Sequence, residues 1–253
     1  NRIDEQDEKS HMKVVAVIPA RWASTRFPGK PMAELAGEPM IAHVVRRASE
    51  AKTVDHVIVA TDDDRIAKAA VAVGAEAVMT GEHPSGTDRV AAAVAGRDAW
   101  EIVINVQGDE PLLSGDNIDV LVRGLVDDGD VGMSTLCRPL EAERAEDPDA
   151  VKVVRDARGR ALYFSRSPIP YPRHREAAWK LWRLHLGIYG FRRETLETFV
   201  SLPPSELELA EALEQLRALE NGIPILVLDA PHPAFGVDTP EDLERVEKII
   251  NGS

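Results

Sequence analysis

Cysteine is almost absent from this chain: Cys137 stands alone among 253 residues. A lone thiol excludes an intrachain disulfide and a cysteine-built metal cluster, and it fits a reducing compartment, so a cytoplasmic protein is expected. No apolar run approaches the roughly 20 residues that span a bilayer, and no signal-peptide pattern precedes Met12, so no membrane association is expected. Positive charge is short as well. The formal net charge is -13, and without a basic stripe to displace counterions the chain is not expected to bind nucleic acid. The seven histidines are scattered and match no zinc spacing. Internal repeats and low-complexity segments are lacking. Residues 1–11, "NRIDEQDEKSH", are polar, aperiodic and followed by Met12 in a His-Met junction, and are expected to be a vector-derived leader outside the fold.

What is present is a long alternation of strand and helix patterns. With 44% apolar residues, positions 12–253 can fill the core of one large α/β domain. "KVVAVIPA", "HVIVAT", "EAVMT" and "EIVINVQ" are short β-branched runs without polar alternation, separated by amphipathic stretches such as "PMIAHVVRRASEA" and "TDRVAAAVA". That pattern predicts a doubly wound, mainly parallel sheet with helices on both faces. Ligands in such sheets bind beyond the carboxyl ends of the strands, which puts the segment after "VVAVIPA", the "TDDD" of Asp62–Asp64 and the "GDEP" after "EIVINVQ" on one edge.

The pattern changes after "VGMSTLCRPL". "DAVKVVRDARGRALYFSRSPIP" predicts two strands turning at Asp156 to Gly159, and "LHLGIYGF" a further strand with no crossover helix between them. An antiparallel insert at about 134–200 is therefore expected. A single helix is predicted from Glu206 to Glu220, with Leu209, Leu213 and Leu216 as its apolar stripe and Asn221-Gly222 as its stop. "PILVLD" then predicts a strand and "GVDTPEDLERVEKII" a closing helix.

The chemistry concentrates in "IPARWASTRFPGKP". Arg21, Arg26 and Lys30 fall within ten residues in an acidic chain, interleaved with Ala20, Ala23, Ser24 and Thr25. The Walker loop is excluded because Pro31 stands where its hydroxyl residue belongs, and the dinucleotide fingerprint because this loop has one glycine. Guanidinium forks, a point-charge lysine and exposed backbone N–H groups after a strand suit a polyphosphate; the plainer alternative is a solvated basic loop.

Two acidic positions suit a hard cation, Asp109 in the turn after a buried strand and Asp238 before the last helix. Thr239, with Pro240 and Asp242 behind it, is the better cap for that helix, which leaves Asp238 free. "TDDD" is the rival metal site, but a carboxylate at the start of "RIAKAAVAVG" is explained by helix capping.

These motifs together resemble a known family. "PARWASTRFPGKP", "SGTDR", "NVQGDEP", "ALYFSR", "HLGIYGF", "LEQLRALE" and "GVDTPEDLERV" occur in the order found in the 3-deoxy-manno-octulosonate (Kdo) cytidylyltransferases, across almost all of residues 13–250. The resemblance implies the nucleotidyltransferase fold, with the antiparallel part serving sugar binding and dimerisation. It implies Mg²⁺ on Asp109 and Asp238, and CTP held by Pro19, Ala20, Arg21, Ser24, Arg26 and Lys30, with Ser85, Arg89 and Gln107 around the base. It places the acidic keto sugar among Arg166, His185, Tyr189, Glu214 and Gln215, with Arg166 toward the carboxylate. Trp22 stands where tyrosine is common in the family, and Asp88 where glutamate is frequent.

The reaction implied is attack of the anomeric C2 hydroxyl on the α-phosphorus of CTP, giving CMP-Kdo and pyrophosphate for lipopolysaccharide synthesis. No protein nucleophile is needed, and Cys137 is a bystander. A homodimer through residues near 150–180 is expected because the insert leaves strands to cover. Three alternatives stay open: a cytidylyltransferase for amino-Kdo or sialic acid, a glycosyltransferase using Asp62 and Asp64, and a nucleotide-binding module without turnover.

Overall fold

The computed structural model describes residues 12–23, 27–173 and 181–252. Val14–Ala20 forms β1, buried apart from Pro19 because both its faces are covered. A short 3-10 helix, Lys30–Met32, and a small antiparallel pair, Glu34–Leu35 (β2) with Glu38–Pro39 (β3), lead into α1, Met40–Ser49. Then follow β4 (His56–Thr61), α2 (Asp64–Ala72), β5 (Glu76–Met79), α3 (Gly86–Val94), β6 (Ile102–Asn105), α4 (Gly115–Asp127) and β7 (Met133–Pro139). β5, β4, β1 and β6 pair in parallel in that order, so the chain steps outward from β1 and then returns to its other side.

The doubly wound reading holds. Val14, Ala16 and Ile18 face one core with Ile41, Val44 and Leu121, while Val15 and Val17 face a second with Val90 and Phe199. Full burial of such side chains stabilises by about 1.5–3 kcal/mol each. Asp63 caps α2, its carboxylate accepting from Arg65 N at 2.9 Å, as the capping explanation of "TDDD" requires.

The second half is woven into the same sheet. β8 (Lys152–Arg155) and β9 (Ala161–Ser165) form the expected hairpin, its turn closed by Asp156 Oδ1 accepting from Arg158 N and Arg160 N at 2.8 Å each. The next strand, β10 (Arg183–Arg192), runs antiparallel between β6 and β7. After α5 (Arg193–Ser201), the predicted helix 206–220 is corrected to two pieces, α6 (Glu206–Glu211) and α7 (Leu216–Glu220). The chain breaks at Ala212, which is left-handed at φ 51°, and Leu209 is 71% exposed, so the apolar stripe contains only Leu213 and Leu216. The cause is tertiary: Glu211 accepts from Ser165 Oγ and Arg166 N, while the Arg166 guanidinium donates to the carbonyls of Glu211 and Ala212.

β11 (Ile225–Asp229) adds to β7 in parallel, and α8 (Pro240–Ile250) begins at the expected capping box of Thr239 and Asp242. Among the described residues no helix is long and apolar enough to cross a membrane.

Candidate active site

The ends of β1 and β6 meet where the strand order reverses, and a cavity of about 270 Å³ opens there. Pro19 and Ala20 line it from the end of β1, Arg21 and Lys30 from the segment that follows, Ser85 and Arg89 from the cap and first turn of α3, and Gln107 and Asp109 from the loop after β6. Gly108 lets the two loops touch: a Cβ there would stand 2.9 Å from the carbonyl oxygen of Pro19. Gly29, at φ 72°, folds the first loop back under Trp22, whose carbonyl accepts from its N–H at 3.0 Å. Trp22 in turn lies under the Arg65 guanidinium, 3.3 Å from ring centroid to Cζ.

Lys30 joins the two acidic positions. Its Nζ donates to Asp109 Oδ2 at 2.7 Å, to the Val237 carbonyl at 2.9 Å and to Asp238 Oδ1 at 3.4 Å. Two carboxylates from segments 129 residues apart thus converge on one cation, and the Val237 N–H to Asp109 carbonyl bond at 2.8 Å ties those segments together. The donor set is all oxygen and suits Mg²⁺, which is held by one or two carboxylates with substrate phosphates rather than by a protein cage. Among the described residues no group of three or more His, Cys, Asp or Glu gathers as such a cage.

The Arg89 side of the cavity is equally built. Arg89 is 5% exposed and donates to Asp62 Oδ2 at 2.9 Å and Thr80 Oγ1 at 2.6 Å. Asp62 also accepts from Trp22 N at 3.3 Å, so this aspartate braces an arginine and the cationic loop instead of waiting for a metal.

A second polar group lies behind the first. Glu214, in the break between α6 and α7, accepts from Ser85 Oγ at 2.7 Å and Thr87 Oγ1 at 2.6 Å. On the sheet, Tyr189 pairs with Asn105 on one side and Thr135 on the other. The His185 ring contacts Tyr189 and packs edge-on against Phe164. Burial pushes the His185 imidazole down to about 3, and burial with the Glu214 charge pushes the Tyr189 phenol well up, so both are neutral near pH 7. Thr135 Oγ1 donates to a carbonyl, of Ile188 at 2.8 Å or Leu186 at 3.1 Å, and therefore accepts from His185 Nε2 at 2.9 Å. That arrangement puts the ring proton on Nε2 and leaves Nδ1 an acceptor.

Gln215 is 4% exposed and its Nε2 has no partner among the described residues. Arg166 also donates to the Pro148 carbonyl at 2.8 Å, so its three carbonyl bonds leave one N–H on each terminal nitrogen. It lies among the α6–α7 break residues and does not line the cavity at the strand ends. Ser24 and Arg26 lie outside the described residues. Several polar residues of the site escaped the sequence reading, among them Thr80, Thr87, Asn105, Glu110 and Thr135. Glu110 carried a readable signal, an acidic neighbour of Asp109 after a buried strand; it is 8% exposed, and burial, with the Asp109 charge adding, pushes its carboxyl up to about 8.

The cytidylyltransferase family profile matches residues 15–226. The 3-deoxy-manno-octulosonate cytidylyltransferase of Anaeromyxobacter sp. (strain Fw109-5) is 53% identical over 241 residues, 94% of this chain and 97% of that protein. The protein of the same name from Geobacter sulfurreducens (strain ATCC 51573 / DSM 12127 / PCA) is 49% identical over 250 residues, 94% of this chain and 100% of that one. A solved structure of CMP:2-keto-3-deoxy-manno-octonic acid synthetase complexed with CTP has a TM-score of 0.90 and 45% identity, covering 95% of this chain and 99% of that one.

Proposed function

This chain belongs to the cytidylyltransferase family, and we propose that it transfers CMP from CTP to the anomeric hydroxyl of 3-deoxy-manno-octulosonate, releasing pyrophosphate. The observation that carries this reading is the convergence of Lys30, Asp109 and Asp238 at the mouth of a cleft built from the ends of β1 and β6. An acidic pair beside a cationic loop suits a metal-bound triphosphate and not a neutral ligand.

In this mechanism Arg21 and Lys30, with Arg26 from the same loop, bind the triphosphate and offset the charge that develops on departing pyrophosphate. Lys30 leaves its carboxylate partners for phosphate when CTP enters. Asp109 and Asp238 would hold Mg²⁺, which would lower the pKa of the attacking hydroxyl and share the phosphate charge. Ser85, Arg89 and Gln107 surround the base, and Asp62 keeps Arg89 in place. On the acceptor side Glu214, Gln215, His185 and Tyr189 take hydroxyls, and the remaining N–H groups of Arg166 take the carboxylate as a fork. Holding both reactants aligned is worth up to roughly 7–11 kcal/mol of barrier.

The protein works as a homodimer in the cytoplasm and supplies lipopolysaccharide synthesis. The dimer reading is supported by the exposed large side chains Leu162, in β9, Tyr171 and Leu181, and by β9 itself, which pairs only with β8 among the described residues.

The test is pyrophosphate release from CTP with Mg²⁺, with and without Kdo, amino-Kdo or sialic acid. Release that requires Kdo supports the reading. Release with another keto acid alone moves the acceptor assignment, and CTP binding without release under any acid overturns the catalytic reading.

A further inference from the structure

Resting on the reading of Glu214 as an acceptor contact, we infer that Thr87 is a positioning residue for acceptor recognition, holding Glu214 through a relay that starts at Asn105. Asn105 Nδ2 donates to Thr87 Oγ1 at 3.2 Å, and Thr87 Oγ1 donates to Glu214 Oε2 at 2.6 Å. The direction is forced by the carboxylate, which can only accept: the threonine proton points at Glu214, its lone pair takes the amide N–H, and the amide is thereby oriented. Thr87 is 2% exposed and Asn105 is 1% exposed, so solvent does not stand in for either partner.

The two oxygens of Glu214 are held in different ways. Ser85 Oγ lies 2.7 Å from both Glu214 Oε1 and Asp88 Oδ2, and it has one proton for two carboxylates. Oε1 is therefore exchangeable: an acceptor hydroxyl can bond it while Ser85 turns to Asp88. Oε2 stays with Thr87, which keeps the carboxylate in register during the exchange. Two buried atoms of the same group, Asn105 Oδ1 and Gln215 Nε2, are without partners among the described residues, one an acceptor and one a donor. Hydroxyl groups donate and accept, so a polyol satisfies either. Because Ser85 also lines the nucleotide cavity, the relay joins the acceptor side to the base side in one hydrogen-bonded unit.

The experiment compares T87V, T87S and E214Q with the parental protein in Kdo-dependent pyrophosphate release, reading KM for Kdo, KM for CTP, kcat and the thermal midpoint. Removing the hydroxyl should raise KM for Kdo about tenfold while KM for CTP stays within about twofold. T87S, which keeps the hydroxyl, should recover most of the acceptor KM. T87A serves if the valine variant does not fold. A parental acceptor KM in T87V, or an equal rise in both KM values, overturns the relay. If that occurs while E214Q still impairs Kdo use, the relay alone fails. If the parental protein releases no pyrophosphate with any keto acid, the functional reading fails and takes the relay with it.

Discussion

Lys30 reaches across the cleft to Asp109, its Nζ 2.7 Å from Oδ2, and its next carboxylate partner is Asp238. The ammonium stands where two carboxylates converge, so under the proposed mechanism a divalent ion would compete with Lys30 for the same oxygens. D109N should leave the fold and much of CTP binding intact and lower kcat by roughly 10²–10³-fold, the scale for losing one preorganised electrostatic group. Mg²⁺ titrations of pyrophosphate release, beside CTP calorimetry, check this. Near-parental turnover would remove Asp109 from the chemistry.

Arg166 is expected to have two consequences when removed. R166A deletes donors to the carbonyls of Glu211, Ala212 and Pro148, so the segment carrying Glu214 loosens: stability should fall by about 1–3 kcal/mol and KM for Kdo should rise. R166K should not restore either, since one ammonium cannot serve three carbonyls in a plane and a carboxylate besides. Thermal unfolding and acceptor KM, measured on both variants, separate this from a purely structural role, which would move the melting temperature alone.

The "TDDD" alternative has a direct test. Asp62 braces Arg89 and the Trp22 backbone, whereas Asp64 is the acidic first-turn residue of α2. D64A should therefore retain CTP turnover, and D62A should raise KM for CTP by disordering Arg89. Loss of metal-dependent CTP turnover in D64A would instead make Asp64 part of the metal site.

His185 gives the protein an acid-side liability. Burial pushes its ring down to about 3 in the fold, against about 6.5 in an unfolded chain. Between those values the unfolded state binds the extra proton, so the stability held above pH 6.5 is lost as pH falls toward 3. H185Q should flatten that limb. Urea unfolding at pH 7, 6 and 5 measures it; parallel slopes in the two proteins would count against a neutral, half-buried ring.

Ala212 is a non-glycine residue at φ 51°. Left-handed backbone costs an L-residue about 1–2 kcal/mol, so A212G should raise the melting temperature despite glycine's greater freedom in the unfolded chain. A lower melting temperature in A212G would mean that chain entropy outweighs the strain.

Much of this architecture was readable because local chemistry and tertiary structure agreed. β1, β4 and β6 are continuous apolar runs, and burial on both faces is what such runs require. Thr239, Asp63 and the Asp156–Gly159 turn satisfy their own backbone from nearby residues, so sequence suffices. The break at Ala212 was not readable, because Leu, Ala and Glu all favour helix and the partners that bend it, Ser165 and Arg166, are more than 40 residues away. In the site, Lys30 was legible as an anion-binding cation and Asp109 and Asp238 as a carboxylate pair; that the lysine bridges the two was not. Thr87 and Asn105 were not, since an uncharged polar residue in a helix or strand carries no sign of whom it faces.

β10 sits between β6 and β7, yet it comes from residues 183–192, long after both neighbours. While the chain is being synthesised, β1, β4, β5 and β6 emerge as one run of the sheet and β7 emerges without the β10 neighbour that joins it to them. Two apolar edges wait there unpaired until the missing strand arrives, and unpaired edges are templates for the wrong neighbour. Folding of this protein is thus timed by a strand that closes the sheet from within, and a chain stopped before residue 183 would be a nucleus for aggregation rather than a smaller folded domain.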